Sequence, residues 1–377
     1  MNDHVLVAPD KFKGSLSAAQ VAARVASGLA RAGFTGEAVR LPVADGGEGT
    51  VDAAVAAGYR RVDVRVRGPV GRPVTASFGM RDGTAVVEAA QACGLTLLPE
   101  GSLAPLTATS YGVGELILAA ARAGAGRMVL GLGGVATTDG GAGLIQALGA
   151  RMTDDSWREL PPGGAALAGL GKLDMSRTRD LSGVEFLAAS DVDNPLLGPH
   201  GAAAVYAPQK GASAADVRLL ETGLARWADV AEEACGAAAR DLAGAGAAGG
   251  LGFAALLFLR ARLRPGISLL LDMLSFGERL DGARLVITGE GALDAQTLRG
   301  KAPLGVARAA AAHSPAVPVV AVAGVRALPE EQLRAAASRP RTRLPISNPT
   351  WPDAWPTPDR LWSASPSGSP RTGSADV

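Results

Sequence analysis

The sequence predicts an α/β protein of two domains, one built from both chain ends and the second inserted between them. Three observations carry that expectation. Short apolar, β-branched runs open the chain at Val5-Leu6-Val7-Ala8 and return late, at Leu285 to Thr288 and Val317 to Ala323. A stretch with helical spacing separates the first run from the next, which is how a parallel sheet begins. In the middle, residues 61–88 change style, alternating apolar with charged residues as strands with one wet face do.

Each element has its own signal. Ser17-Ala18-Ala19-Gln20 has the form of a capping box, and Val21, Val25 and Leu29 share one helix face. Gly33 ends that helix, a strand follows over Ala38 to Val43, and a loop runs from Ala44 to Thr50. Val62, Val64 and Val66 alternate with Arg and Asp, and Asp82-Gly83 joins Pro73–Met80 to Thr84–Val87 as a hairpin turn. The change of style places a domain boundary near Arg65. Helix 110–123, strand 127–132, helix 142–149, strand 186–189 and a long helix from Ser213 to about Ala234 follow. The strand, helix and strand between 285 and 323 then complete a parallel-sheet, Rossmann-like domain of residues 1–65 and 285–337. Residues 66–284 form the inserted α/β domain, and a short helix spans Pro329 to Ala337. Residues 338–377, rich in Pro, Ser and Trp, read as an atypical tail, disordered or altered.

Composition narrows the function. The 377 residues carry 37 Lys+Arg against 36 Asp+Glu, a net charge of +1, which speaks against a basic nucleic-acid footprint. No apolar run approaches a membrane span and no secretory leader is visible, so a cytoplasmic protein with no membrane partner is expected. Cys93 and Cys235 are too few and too far apart for a disulfide framework, and three histidines make no His-rich metal site. The 50 glycines imply many tight loops or backbone held close to a ligand.

Five loops at strand ends hold the chemistry. Pro9-Asp10-Lys11-Phe12-Lys13-Gly14-Ser15 places two lysines before a helix start. In Asp45-Gly46-Gly47-Glu48-Gly49 the backbone permits close approach, and the carboxylates suit a divalent cation or a hydroxyl proton. Gly131 to Gly143 can cradle phosphate with backbone N–H groups. It also satisfies GxGxxA, although its glycines argue against a helix starting inside the motif. Ser190-Asp191-Val192-Asp193-Asn194 offers hard oxygen ligands or a base, and Gly289 to Lys301 adds Glu290, Asp294, Thr297 and Lys301. There is no GxxxxGK[ST] and no GxSxG. Lysines, acids and glycines without a His or Cys nucleophile suit phosphoryl transfer, which relies on positioning and charge.

The blocks APDKFKGSLSA, PVADGGEGT, TSYGVGELI, DVDNPLLGPHGAAAVYAPQKGA, GAGAAGGLG and GEGALDAQTLRGK resemble those of the type I glycerate kinase family, over residues 5 to about 324. The resemblance implies ATP- and Mg2+-dependent phosphorylation of D-glycerate, giving 2-phosphoglycerate, in a cleft between two α/β domains. On that footing Asp191 is the expected base, with Lys11 and Asp45 also catalytic, and Asp191 and Asp193 face the metal. Lys13, Gly46, Gly47, Glu48, Asp294, Thr297 and Lys301 belong with the substrate. Gly133, Gly134, Thr137, Asp139, Gly140 and Gly141 cradle the nucleotide. Glycerate and ATP are the expected partners of a monomer or homodimer.

Two departures stand out. The family's GGSATNDGG reads here with Val135 for the serine and Thr138 for the asparagine. After Gly324 a further strand and a closing amphipathic helix are expected, yet the Pro/Ser/Trp tail stands there. The alternatives are a dinucleotide-dependent oxidoreductase, or an inactive family member with a replaced C-terminus.

Overall fold

A computed structural model describes residues 4–295 and 297–337, so the expected tail lies outside the described residues. The chain opens with β1 (His4–Pro9), α1 (Ala18–Arg31), β2 (Glu37–Arg40) and α2 (Thr50–Ala56). The capping box forms as its sequence predicts. The Ser17 hydroxyl accepts from the Gln20 N–H, and the Gln20 side chain accepts from the Ser17 N–H. β2 ends earlier than expected, but the Leu41 and Val43 N–H groups still donate to the Val7 and Pro9 carbonyls. That extra pairing carries the chain to Asp45 alongside the end of β1.

The meander follows as β3 (Arg60–Arg67), β4 (Pro73–Arg81) and β5 (Thr84–Glu88). Asp82 and Gly83 have φ of 47° and 73°, the left-handed pair that a two-residue hairpin turn requires. Next come α3 (Ala90–Cys93), α4 (Tyr111–Arg122), β6 (Arg127–Gly131), α5 (Ala142–Ala147), β7 (Arg151–Thr153), β8 (Lys172–Asp174) and β9 (Glu185–Ala189). The all-helical stretch α6 (Ala202–Tyr206), α7 (Ala214–Cys235) and α8 (Ala247–Phe258) leads to β10 (Arg262–Arg264). The chain closes with α9 (Gly266–Met273), α10 (Phe276–Leu280), β11 (Ala283–Leu293), α11 (Ala302–Ala312), β12 (Val319–Arg326) and α12 (Glu330–Ala337).

Two main sheets result. One is parallel throughout, in the order β12-β11-β1-β2, and joins both ends of the described chain. The other runs β10-β9-β6-β5-β4-β3, parallel from β10 to β5 and antiparallel over β4 and β3. β7 and β8 make a small antiparallel pair. The expected boundary at Arg65 falls inside β3, and the whole of that strand belongs to the six-stranded sheet.

Each sheet has its own core. Phe78, Trp227 and Phe253 lie in the larger one, and Leu6, Leu41, Phe276 and Val286 in the smaller. α9 serves both. Ile267 and Leu271 join the smaller core, while Leu269 and Leu270 pack on Val129 and Leu187 of the six-stranded sheet. At roughly 1.5–3 kcal/mol for each buried aliphatic side chain, this one helix ties the two sheets firmly together. Cys93 and Cys235 are free thiols. Among the described residues no helix is long and apolar enough to cross a membrane.

Candidate active site

Ligands of parallel sheets bind beyond the carboxyl ends of the strands. In the four-stranded sheet β1 lies between β2 and β11; Asp10 follows β1, Asp45 lies beyond β2, and Glu290 lies within β11 beside the end of β1. Pro9 pairs with Gly289, and the Asp10 N–H donates to the Gly289 carbonyl at 2.8 Å, so Asp10 and Glu290 are neighbours across the ladder. Both are 6% exposed. Burial first, and then the Asp45 charge, push Asp10 up to about 7, against the pull of Lys11. Burial also raises Glu290, opposed by the Thr297 hydroxyl, which donates to its Oε1, and by the Lys301 ammonium.

The sequence reading put Glu290 in a loop. It lies in β11, because β12 continues to pair with that strand through Glu290↔Ala323 to Leu293↔Arg326. Asp294, Thr297 and Lys301 follow the strand, and the Asp294 N–H donates to the Thr297 hydroxyl at 3.1 Å.

The 45–49 loop crosses from the first sheet to the ends of the second. Gly46 has φ +92°, and a Cβ there would sit 2.6 Å from the Ala189 Cβ at the end of β9. A Cβ on Gly133 would meet the Gly47 Cα at 2.9 Å, and the Gly133 N–H donates to the Gly46 carbonyl at 3.1 Å. Gly134 lies against the Glu48 side chain. The two glycine loops therefore interlock by backbone, with the Gly47 N–H donating to Asp45 Oδ1 and the Gly133 N–H to the Gly46 carbonyl.

Asp191 follows β9 and faces the same cleft. Its Oδ1 accepts from the Gly266 N–H at 2.8 Å, so it anchors the start of α9. Its side chain is exposed, yet desolvation by the protein around it raises it to about 6, the Gly266 N–H pulls it down, and Asp45 raises it again. Asp193 is exposed, near enough to Tyr206 to add its charge to burial in raising that phenol. Lys11 reaches across to donate to the Glu48 carbonyl at 2.5 Å. Beside it, residues 11–17 and Glu48 line a cavity of about 260 Å³, with Lys13 exposed at its mouth.

The second half of the glycine-rich stretch is placed differently. Thr137, Asp139, Gly140 and Gly141 are buried. Asp139 accepts from the Ser110 N–H and hydroxyl and from the Gly141 and Gly143 N–H groups, fixing the starts of α4 and α5. The Trp227 indole donates to the Gly140 carbonyl at 3.0 Å. Buried Lys210, pushed down to about 8 mainly by burial, donates to the Thr137 carbonyl. Of the expected nucleotide residues, Gly133 and Gly134 meet the 45–49 loop, and the other four lie behind it. Asp10 and Glu290 stand in the expected loops without an expected role, and Gly266 lies outside those loops. The signal for the first two was topological: the acid after the first strand lies beside the acid of the strand that opens the returning segment.

The family model described as the glycerate kinase family matches residues 5–347. The chain belongs to the glycerate kinase family. It is 50% identical over 325 residues to a Bacillus subtilis (strain 168) protein named glycerate kinase, covering 85% of this chain and 84% of that one. It is 44% identical over 325 residues to an Escherichia coli (strain K12) glycerate 2-kinase, with 85% and 84% covered. A crystal structure from Salmonella typhimurium LT2, assigned as a glycerate kinase 2, superposes with a TM-score of 0.78 at 40% identity. The match takes in 89% of this chain and 95% of that one. The family match extends beyond Gly324, where the resemblance in sequence was expected to stop. The dinucleotide alternative fails on geometry as well, because α5 begins at Ala142, well after Gly131–Ala136.

Proposed function

We propose that this chain transfers the γ-phosphoryl group of ATP to D-glycerate, giving 2-phosphoglycerate. One observation carries the reading. The carboxyl ends of the parallel strands of two sheets meet at one cleft, which gathers Asp10, Asp45, Asp191 and Glu290 with Lys11 and Lys301 against the Gly46-Gly47 and Gly133-Gly134 backbone. Phosphoryl transfer asks for this combination of charge and close backbone. The names of the relatives agree with it.

Mg2+ commonly takes one or two carboxylates together with phosphate oxygens and water. Asp191 and Asp193 fit that habit as hard oxygen donors at the cleft. Among the described residues no three acids or histidines lie close enough to hold an ion alone, which suits a metal that arrives on the nucleotide. Bound there, it would neutralise phosphate charge. Lys11, Lys13 and Lys301 supply the remaining positive charge.

The membership of the strands supports two domains, with the first boundary ahead of Arg60 and the second in the 265–283 connection. We place the protein in the cytoplasm as a monomer or homodimer acting on small molecules. The test couples purified protein, D-glycerate, ATP and Mg2+ to enolase without a mutase. Signal is expected. Signal only after phosphoglycerate mutase is added would move the acceptor to the 3-hydroxyl, and silence in both from folded protein would sink the reading.

A further inference from the structure

We propose that Asp10, rather than Asp191, takes the proton from the acceptor hydroxyl; the inference rests on the phosphotransfer reading above. The argument starts from strand order. β1 is flanked by β2 and β11, so Asp10 stands between Asp45, beyond β2, and Glu290, within β11. Its own strand contributes Lys11, β2's trailing loop contributes Asp45, and β11 contributes Glu290. A carboxylate between two others, 6% exposed, holds a proton more tightly than an ordinary aspartate. That is the property a base needs to receive a proton from a hydroxyl near neutral pH.

Each of these acids is held by one contact, and Asp10 differs in its depth and in having an acid on either side. Asp191 spends one oxygen on the first N–H of α9. Glu290 accepts from the Thr297 hydroxyl, and Asp45 accepts from the Gly47 N–H at 3.3 Å. Asp10 is held through Oδ1 by the Lys11 N–H at 2.6 Å, a contact that fixes the side chain without using Oδ2. In the step, the hydroxyl proton passes to the Asp10 carboxylate. The hydroxyl oxygen forms a bond to the γ-phosphorus. The bond from that phosphorus to the β-bridging oxygen breaks, and ADP leaves with the electron pair.

The experiment compares Asp10→Asn, Asp10→Glu, Glu290→Gln and Asp191→Asn with the parent in the glycerate assay from pH 5.5 to 9. Asp10→Asn is expected to lower kcat by about 10²–10⁴-fold, and Asp10→Glu to recover part of the loss. Glu290→Gln removes one flanking charge, so the acid limb of its pH profile should move to lower pH. A purely structural role would leave that limb in place, which keeps the proposal open to refutation even where Asp10→Asn folds poorly. Parent turnover that Asp10→Asn leaves within threefold would overturn the inference alone. So would an acid limb that disappears in Asp191→Asn and persists in Asp10→Asn. A parent inactive on glycerate would overturn the functional reading and this inference together.

Discussion

Gly46 shows how little freedom single positions have at the cleft. Its φ of +92° and the 2.6 Å approach to Ala189 both exclude a side chain. Gly46→Ala should cost about 2–4 kcal/mol in denaturant unfolding, with the strain falling on the loop that carries Asp45. Asp10 makes a prediction with a sign. Its carboxyl moves from 3.8 as the ordinary value to about 7 in the fold. Between those values the folded chain keeps a proton that the unfolded chain has released. The stability it contributes is therefore complete below pH 4 and lost as pH rises to 7. Asp10→Asn should thus gain on the parent between pH 5 and pH 8, by on the order of 1–3 kcal/mol in paired melting curves. Lys11, Asp45 and Asp191 were legible as single residues because each sits in a loop after an obvious strand. Asp10 lay in the same loop, but its two acidic neighbours come from strands that only the folded sheet brings beside it.

Elements were legible where one face is wet. α1 advertised both its cap and its apolar stripe, and Ser17→Ala should cost about 1 kcal/mol in thermal unfolding. α9 carried no such pattern. GISLLLDM is buried on two sides, against two cores, so its apolar residues show no single face. The end of β11 was hidden for another reason. Gly289 and Gly291 resemble loop residues, yet a Cβ on Gly289 would come within 2.2 Å of the Val322 carbonyl oxygen in the neighbouring strand. Gly266 starts α9 where a Cβ would lie 1.9 Å from the Asp45 carbonyl oxygen. Gly266→Ala should therefore part α9 from the 45–49 loop and lower kcat at least tenfold, read in the coupled assay, while α1 and its cap stay intact.

At the scale of the molecule, the chain crosses between the two main sheets twice, before β3 and through α9 and α10. Arg81 holds both crossings. Its guanidinium donates to the Ala57 carbonyl at 2.9 Å and the Met273 carbonyl at 3.1 Å, and lies 4.3 Å from the centre of the Tyr59 ring. Arg81→Met should lower stability by about 1–3 kcal/mol and broaden calorimetric unfolding toward two steps as the halves lose their tie. That the last strands rejoin the sheet of the first two was foreshadowed in the sequence, because strand style changed and then changed back. Strand order was not, since nothing local in β1 says that its partner is β11. That partnership has a consequence in time. On the ribosome β1 and β2 emerge early, and β11 follows roughly 10–50 s later at ordinary elongation rates. The six-stranded sheet, complete once β10 has been made, is free to form during that wait. Asp10 gains Glu290 as its neighbour only when the returning segment docks, so a nascent or truncated chain that stops short of β11 carries a finished inner sheet and no working site.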